Sequence, residues 1–334
     1  MILACDVGGT KTNVALVTAS DSRWQTVRFE TYRSREHASL HDIMAAFLGA
    51  SPPALAAAGF GVAGPVIDHR VTTTNLPWNV DGGAIATQLG VPRVSLLNDL
   101  EAFAWGVPEL GATDQLVLQT GVPDGGNLAV IAAGSGLGVS ALIRGTGTVR
   151  SLASEGGHAD FSPVDDTDIA LLQFLRRRFG RVSAERVLSG PGLVNVYEFL
   201  RHEGGYEEPE PIDTSAAHAA SDIAGAALSG RSELAEQAVL RFLAAYGGAA
   251  GNWALSTLAT GGVWLGGGIA HKLLSGPPGT PSGWKARARD AFLTRFRSKG
   301  RFSPLLDAMP VHVILTEIAP LMGAARFALN ERNG

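Results

Sequence analysis

Asp6, Gly8, Gly9 and Thr10 stand together in MILACDVGGTKTNVALV, between two apolar runs. Successive small residues in a turn leave backbone amides unshielded. Several such amides make a nest for phosphate oxygens, and the Thr10 hydroxyl adds a donor. Asp6 falls at the carboxyl end of the first run, where open α/β sheets hold ligands. A carboxylate beside a phosphate nest makes sense when Mg²⁺ lies between them, directly or through water. The same residues also fit a plain glycine hairpin closed by an Asx turn. AAGSGLGV sets Gly134, Ser135, Gly136 and Gly138 in a second small-residue turn, without the Gly-Lys-Ser/Thr of a P-loop.

Three further clusters carry polar chemistry. In SLLNDLEAF an apolar run ends abruptly in Asn98 and Asp99. Asp99 reads either as the cap of a following helix or as a general base that takes a hydroxyl proton while that oxygen attacks phosphorus. Asn98 would hold a neighbouring hydroxyl. In SEGGHADF, Glu155 and His158 flank two glycines. They are a loop ion pair, or an acceptor and donor that grip adjacent sugar hydroxyls. In RVSAERVLSGPGL, Glu185 is an ordinary helix residue or one more hydroxyl acceptor in a cleft.

The elements that must position these groups follow from periodicity. MILACDV, TNVALVTA and WQTVRFETY predict three successive strands, and SLHDIMAAFLGA a helix. VDGGAIATQLG predicts a short helix capped by Asp81 and stopped by Gly90. RVSLLNDLEAFAWGV is a strand running into a helix. Strands alternating with helices give an α/β domain with a partly parallel sheet. Beyond about residue 105 the pattern restarts with strands in DQLVLQTG and NLAVIAAGSGLGVSALIRG. Helices are then expected at 166–179, 183–203, 214–229 and 232–258, followed by a glycine-flanked strand in GGVWLGGGI. PVHVILTE and a final helix, APLMGAARFALNER, close the chain. EGGYEEPEPIDT and SGPPGTPSG read as surface loops. One echo runs through this order: VGGTKTNVALV at 7–17 matches AGSGLGVSALI at 133–143 with an offset of 126 residues. Two related domains would each offer a glycine turn to a shared cleft.

Composition sets the limits. The 334 residues exceed what one hydrophobic core usually supports, so two domains are expected. A net charge of −4 with no basic stripe argues against nucleic acid, and Arg176–Arg178 reads as a solvated helix end. The one cysteine, Cys5, excludes an internal disulfide and any cysteine-based zinc site and fits a reducing cytoplasm. No signal peptide is expected, because Asp6 interrupts the first apolar run. The most apolar window is too short and too rich in Gly and Pro to span a membrane.

Together DVGGTKTNVAL, TNLPWNV, LLNDLEAFAWGV, AAGSGLGV, EGGHADF, VSAERVLSGPGLVNVY and GGVWLGGGI resemble, in order, the bacterial glucokinase family, hexokinase-type. The resemblance implies a two-domain actin-like ATPase (ribonuclease H-like) fold with a cleft between the domains. Residues 1–105 plus 319–334 would form the small α/β domain, and 106–318 the large one with helical additions. It implies ATP with Mg²⁺ as donor and D-glucose as acceptor, in a cytoplasmic homodimer that meets neither membrane nor nucleic acid. Asp6, Gly8, Gly9 and Thr10 would form the first phosphate loop, with Asp6 toward the metal. Gly134, Ser135, Gly136 and Gly138 would form the second, and Gly266, Gly267 and Gly268 would lie against the adenosine. Asp99 would be the catalytic base. Asn75, Asn98, Glu155, His158 and Glu185 would hold the sugar. Two positions depart from the family pattern: Cys5 replaces a usual Gly and Lys11 a usual Asn. GGTK is the spelling of a related family of sugar kinases and repressors, but no cysteine-rich zinc motif follows EGGHADF. A kinase for another hexose or amino sugar, one using polyphosphate, and a non-catalytic sugar sensor are the competing expectations. The sensor would carry an added helix-turn-helix, for which a first strand at residue 2 leaves no room.

Overall fold

The computed structural model describes residues 1–20, 23–73, 76–203, 205–206 and 212–333. Strands β1 (Ile2–Val7), β2 (Lys11–Ser20) and β3 (Arg23–Arg33) form an antiparallel meander. Helix α1 (Leu40–Leu48) begins where the Ser39 hydroxyl accepts the Asp42 amide. The chain returns through β4 (Ala57–Val62), parallel to β1, and a small ribbon of β5 (Arg70–Thr72) and β6 (Asn79–Asp81). Asp81 caps α2 (Gly82–Leu89), and Gly90 stops it in the left-handed region, as its spacing predicts. Next β7 (Ser95–Asn98) pairs parallel with β4 and runs directly into α3 (Asp99–Gly106). The first sheet therefore has the order β3-β2-β1-β4-β7.

The second half opens with β8 (Gln115–Gln119), β9 (Leu128–Ala133), β10 (Leu137–Gly145) and β11 (Thr148–Leu152). Helices α4 (Asp166–Phe179), α5 (Gly190–Glu203), α6 (Ala219–Leu228) and α7 (Glu233–Thr257) follow. Then come β12 (Gly262–Gly266), α8 (Gly267–Ser275), α9 (Trp284–Arg297), α10 (Ser303–Ala308), β13 (Val311–Ile314) and α11 (Ala319–Asn333). The second sheet has the order β11-β10-β9-β12-β13-β8.

The two sheets repeat one plan. In each, a hairpin is flanked by an antiparallel outer strand on one side and two parallel strands on the other. Val7 closes the first hairpin against Thr12, and Ala133 closes the second against Leu137. Val7 and Ala133 lie 126 residues apart, the offset of the sequence echo.

Helices α3 and α11 fill the space between the sheets. The core around them takes Ile2, Ala4 and Ala15 from the first sheet and Val130, Leu142 and Trp264 from the second. Strand β1 obeys the period of two: Leu3, Cys5 and Val7 face the opposite core, with α1. Asp6 thus shares the face of Ile2 and Ala4, toward α3, and Cys5 is buried on the far side.

Two expected helices are shorter than their patterns. Residues 183–203 divide into a 3₁₀ turn at Ala184–Arg186 and α5, because Gly190-Pro191-Gly192 interrupts the run and the Gly190 amide is bonded to the Gly134 carbonyl at 2.8 Å. The 214–229 helix begins only at Ala219, since Asp213 and Ser215 close a turn before it. The glycine-flanked strand is β12, and the glycines after it open α8. Of the EGGYEEPEPIDT loop, residues 204 and 207–211 lie outside the described residues, as does Asn75.

Candidate active site

Parallel pairing brings three strand ends to one edge of the first sheet. Asp6 lies opposite Gly61 and Val62 opposite Asn98, so the carboxyl ends of β1, β4 and β7 align. Against this edge stands the β9–β10 turn. Between them is a cavity of about 730 Å³. It is lined by Gly8, Gly9 and Thr10 from one turn and Gly134, Ser135, Gly136 and Gly138 from the other. Asn98, Asp99, Glu155, His158, Glu185 and Gly267 complete the wall. A second cavity shares Asp99 and Gly267 with it and contains Asp6, Asn13, Lys11 and Gly268. A third, about 760 Å³, continues from Gly134, Ser135 and Gly268 toward Arg186, Pro191 and Lys272. Most of the residues expected to act together, Asp6 to Gly268 apart from Asn75 and Gly266, thus line adjoining cavities that share Asp99, Gly134, Ser135, Gly267 and Gly268.

The turns expose amides. The Gly8 amide is used within its turn, to Lys11, and the Gly134 amide to Gly136. Those of Gly9, Thr10, Ser135 and Gly136 have no partner among the described residues. Four unpaired donors on a cavity wall suit an anion. The first turn is held from behind by Ser34, which is fully buried. Its hydroxyl donates to the Gly8 carbonyl at 2.7 Å, and its amide to the Thr10 carbonyl at 3.1 Å.

Helix α3 decides how Asn98 and Asp99 are used. The cap is Asn98: its Oδ1 accepts the Leu100 amide at 3.0 Å, and Glu101 closes a capping box on the Asn98 amide. Its Nδ2 donates to the Gly64 carbonyl at 3.2 Å, leaving one donor and one lone pair for a ligand. Asp99 is therefore released from capping, although it shares the Leu100 amide. Burial raises the Asp99 carboxyl, the Leu100 amide opposes that, and the Glu155 charge adds to it. Asp6 is pushed up to about 6 by burial first and the Asp99 charge second, against the hydrogen bond from Asn13 Nδ2 (3.3 Å). The Asp99 charge thus favours the protonated form of Asp6.

The remaining acidic groups come from the large second half. Glu155 and His158 bracket a 3₁₀ turn, with Oε2 and Nε2 4.0 Å apart and both side chains more than half exposed. Their two glycines are required by packing: a Cβ on Gly157 would lie 1.8 Å from the Leu137 carbonyl oxygen. Glu185 Oε2 accepts the Leu137 amide at 2.9 Å, and a Cβ on Gly136 would meet that carboxylate at 2.5 Å. One Glu185 oxygen thus braces the second turn, and the other remains available. Gly266 lines none of the three cavities. It is buried against Phe103, where a Cβ would stand 1.9 Å from the ring, so it serves packing of β12 on α3. Gly267 and Gly268 do line cavities.

Arg35, Ser154 and Gly64 also line the main cavity, and Thr316 and Glu317 the Asp6 side. Ser154 adjoins Glu155 and was findable by neighbourhood. Arg35 and Glu317 sit in polar stretches without any local pattern.

The Asp6 carboxyl has a consequence for stability. Its pKa is higher in the folded chain than in the unfolded one, so the folded state binds the proton more tightly and this group's contribution falls as pH rises from about 4 to about 6. Asp6→Asn is expected to raise the melting temperature at pH 7.5 without nucleotide or metal, with the gain shrinking toward pH 5. A lower melting temperature at pH 7.5 would mean that the Asn13 hydrogen bond outweighs the burial cost.

Comparison with known proteins gives a consistent result. A family model described as Glucokinase matches residues 3–331. A glucokinase of Synechocystis sp. is 38% identical, over 97% of this chain and 96% of its own length. The solved glucokinase of an Antarctic psychrotroph superimposes with a TM-score of 0.85 at 30% identity, covering 98% of both chains. A ROK family glucokinase from Streptomyces griseus, solved with glucose and AMPPNP, has the same fold, with a TM-score of 0.64 at 22% identity over 100% of this chain and 99% of that one.

Proposed function

The chain belongs to the glucokinase family, and on that premise we infer that this actin-like ATPase fold transfers the γ-phosphoryl group of ATP to the 6-hydroxyl of D-glucose, giving glucose 6-phosphate and ADP. The observation that carries the site assignment is the meeting of Asp99 with both small-residue turns in one cavity. A coupled assay of glucose 6-phosphate formation through NADP⁺ reduction tests it. Formation of product with ATP and glucose, and none with ATP alone, is the expected result.

The sugar is assigned to Asn98, Asp99, Glu155, His158 and Glu185, and the phosphates to the free amides at 9–10 and 135–136. The third cavity, next to Gly268, is the place for the nucleoside. Asp99 accepts the O6 proton as that oxygen attacks Pγ. The bond from Pγ to the β,γ-bridging oxygen breaks, and ADP leaves with the electron pair. Ionised Asp99 is needed for this, and its raised pKa makes it a better acceptor than an ordinary surface carboxylate. Alignment of O6 with the leaving oxygen supplies much of the remaining rate.

The donor set fits Mg²⁺: Asp6 and Asp99 are hard carboxylate ligands, and the Asp99 charge helps to push Asp6 up, a charge conflict that a cation relieves. Asp6 would hold the ion, directly or through water, and when bound it neutralises charge on the β- and γ-phosphates.

We assign residues 1–105 with 319–334 to one moving lobe and 106–318 to the other. Closure would bring the exposed Glu155–His158 turn onto the sugar and exclude water, a rival acceptor. No helix among the described residues is long and apolar enough to cross a membrane. We assign the chain to a reducing cytoplasm on its single cysteine, Cys5, which is free and buried.

Glu155→Gln is expected to raise KM for glucose roughly 10-fold or more, since a charged acceptor is replaced at a site that becomes dry on closure. KM for ATP should stay within about 2-fold. Equal changes in both constants would place Glu155 in closure of the lobes instead of sugar recognition.

A further inference from the structure

The cavity between the turns is short of positive charge. Its lining contains the carboxylates of Asp99, Glu155 and Glu185, and its basic residues are His158 and Arg35. A nucleoside triphosphate adds several negative charges there, and the transferring phosphoryl group carries charge on three oxygens at the transition state. Neutral amides orient those oxygens but do not offset their net charge. Arg35 is the permanently charged cation on this wall.

Its placement is specific. Arg35 is the second residue of a 3₁₀ turn, Ser34–Glu36, that leaves the edge strand β3. That turn is fastened to the first phosphate turn through Ser34: its amide donates to the Thr10 carbonyl, its hydroxyl donates to the Gly8 carbonyl, and its hydroxyl oxygen accepts from Thr12 Oγ1 at 3.0 Å. The backbone of Arg35 is thus fixed one residue from a buried anchor, beside Gly8, Gly9 and Thr10. The cations around it are engaged: Arg33 pairs with Glu36 at 3.2 Å, and Lys11 with Glu317 at 2.5 Å. Among the described residues Arg35 has neither an ion pair nor a side-chain hydrogen bond.

We propose that Arg35 contacts the γ-phosphoryl oxygens during transfer and is a catalytic residue of the kinase. A guanidinium matches two phosphate oxygens at once and is always charged, which a lysine ammonium does not reproduce. As O6 bonds to Pγ and the bond to the bridging oxygen breaks, Arg35 offsets the charge on the non-bridging oxygens. Asp99 keeps the O6 proton. The inference rests on the phosphoryl-transfer reading of the cleft.

The test is steady-state kinetics of full-length Arg35→Ala and Arg35→Lys beside wild type and the control Arg33→Ala, each checked for an unchanged melting temperature. Arg35→Ala is expected to lose about 100-fold in kcat, with KM for glucose within about 3-fold, and Arg35→Lys to recover part of that loss. Guanidinium chloride at tens of millimolar is expected to restore part of the Arg35→Ala rate and leave wild type unchanged. A kcat within 3-fold of wild type, or a loss that guanidinium does not relieve while the melting temperature drops, overturns the assignment. Failure of wild type itself to make glucose 6-phosphate would instead remove the kinase reading on which it rests.

Discussion

Asp99→Asn is expected to reduce kcat roughly 1,000-fold while leaving glucose affinity within a few fold, because an amide can hold the sugar hydroxyl but cannot take its proton. The substitution is nearly isosteric. The helix start is secured by Asn98 and Glu101, whose capping box does not use the Asp99 side chain. A fold defect is therefore not the expected cause of the loss. The pH profile supplies an independent check. Both Asp6 and Asp99 are raised above the ordinary carboxylate range by burial, and Asp6 reaches about 6. Protonation inactivates the base, so the acid limb of kcat/KM is expected to lie above the ordinary carboxylate range, higher than for an exposed carboxylate. The limb reports Asp99, raised by burial and by the Glu155 charge. In Glu155→Gln it should move to lower pH, since the Glu155 charge no longer raises Asp99. Near-normal turnover of Asp99→Asn, or an acid limb near pH 4 in the wild type, would take the role of base away from Asp99.

The second large effect concerns the layer that carries Asp99. Helices α3 and α11 approach closely through glycines: a Cβ on Gly323 would lie 1.7 Å from the Ala102 carbonyl oxygen, and one on Gly106 1.9 Å from that of Ala319. Gly59 repeats the device between β4 and α11, with a Cβ position 2.1 Å from the Ala324 carbonyl oxygen. These neighbours are backbone on rigid elements, so they cannot turn aside. Gly323→Ala is expected to cost about 2–3 kcal/mol or more, despite the better helix propensity of alanine. The same change at Gly225 in α6, where nothing lies within 4 Å of the added Cβ, should stabilise by about 0.5–1 kcal/mol. Chemical denaturation of the two variants gives opposite signs if close approach, and not composition, fixes the glycine. Because α3 begins with Asp99, Gly323→Ala should also lower kcat in the fraction that stays folded.

The elements that were legible from the sequence are those encoded within a few residues. Asp81 and Gly90 bracket α2, and Asp165 and Gly180 bracket α4, because capping and left-handed stops are local chemistry. The apolar run of β1 marked it as a strand, and the 126-residue echo announced a second hairpin of the same kind. The apolar-to-polar breaks at Asp6 and at Asn98–Asp99 marked strand ends, which is why the main polar residues were findable. The 183–203 helix was overread because its period continues through Gly190 and Pro191, and the bond that fixes Gly190 comes from Gly134, far away in sequence.

The tertiary structure decided what depends on partners brought from a distance. Glu101, three residues after Asn98, is the local sign that Asn98 caps α3, but the bond from Asn98 Nδ2 to the Gly64 carbonyl that steadies it comes from 34 residues away. Gly266 reads like its neighbours Gly267 and Gly268, yet Phe103 makes it a packing residue. Glu185 braces a turn 48 residues away, and Arg35 reaches the main cavity only because Ser34 is tied to Gly8 and Thr10. Side-chain periodicity and capping act over one or two turns of chain, whereas which carboxylates share a cavity is set by strand order and helix packing after long loops have closed.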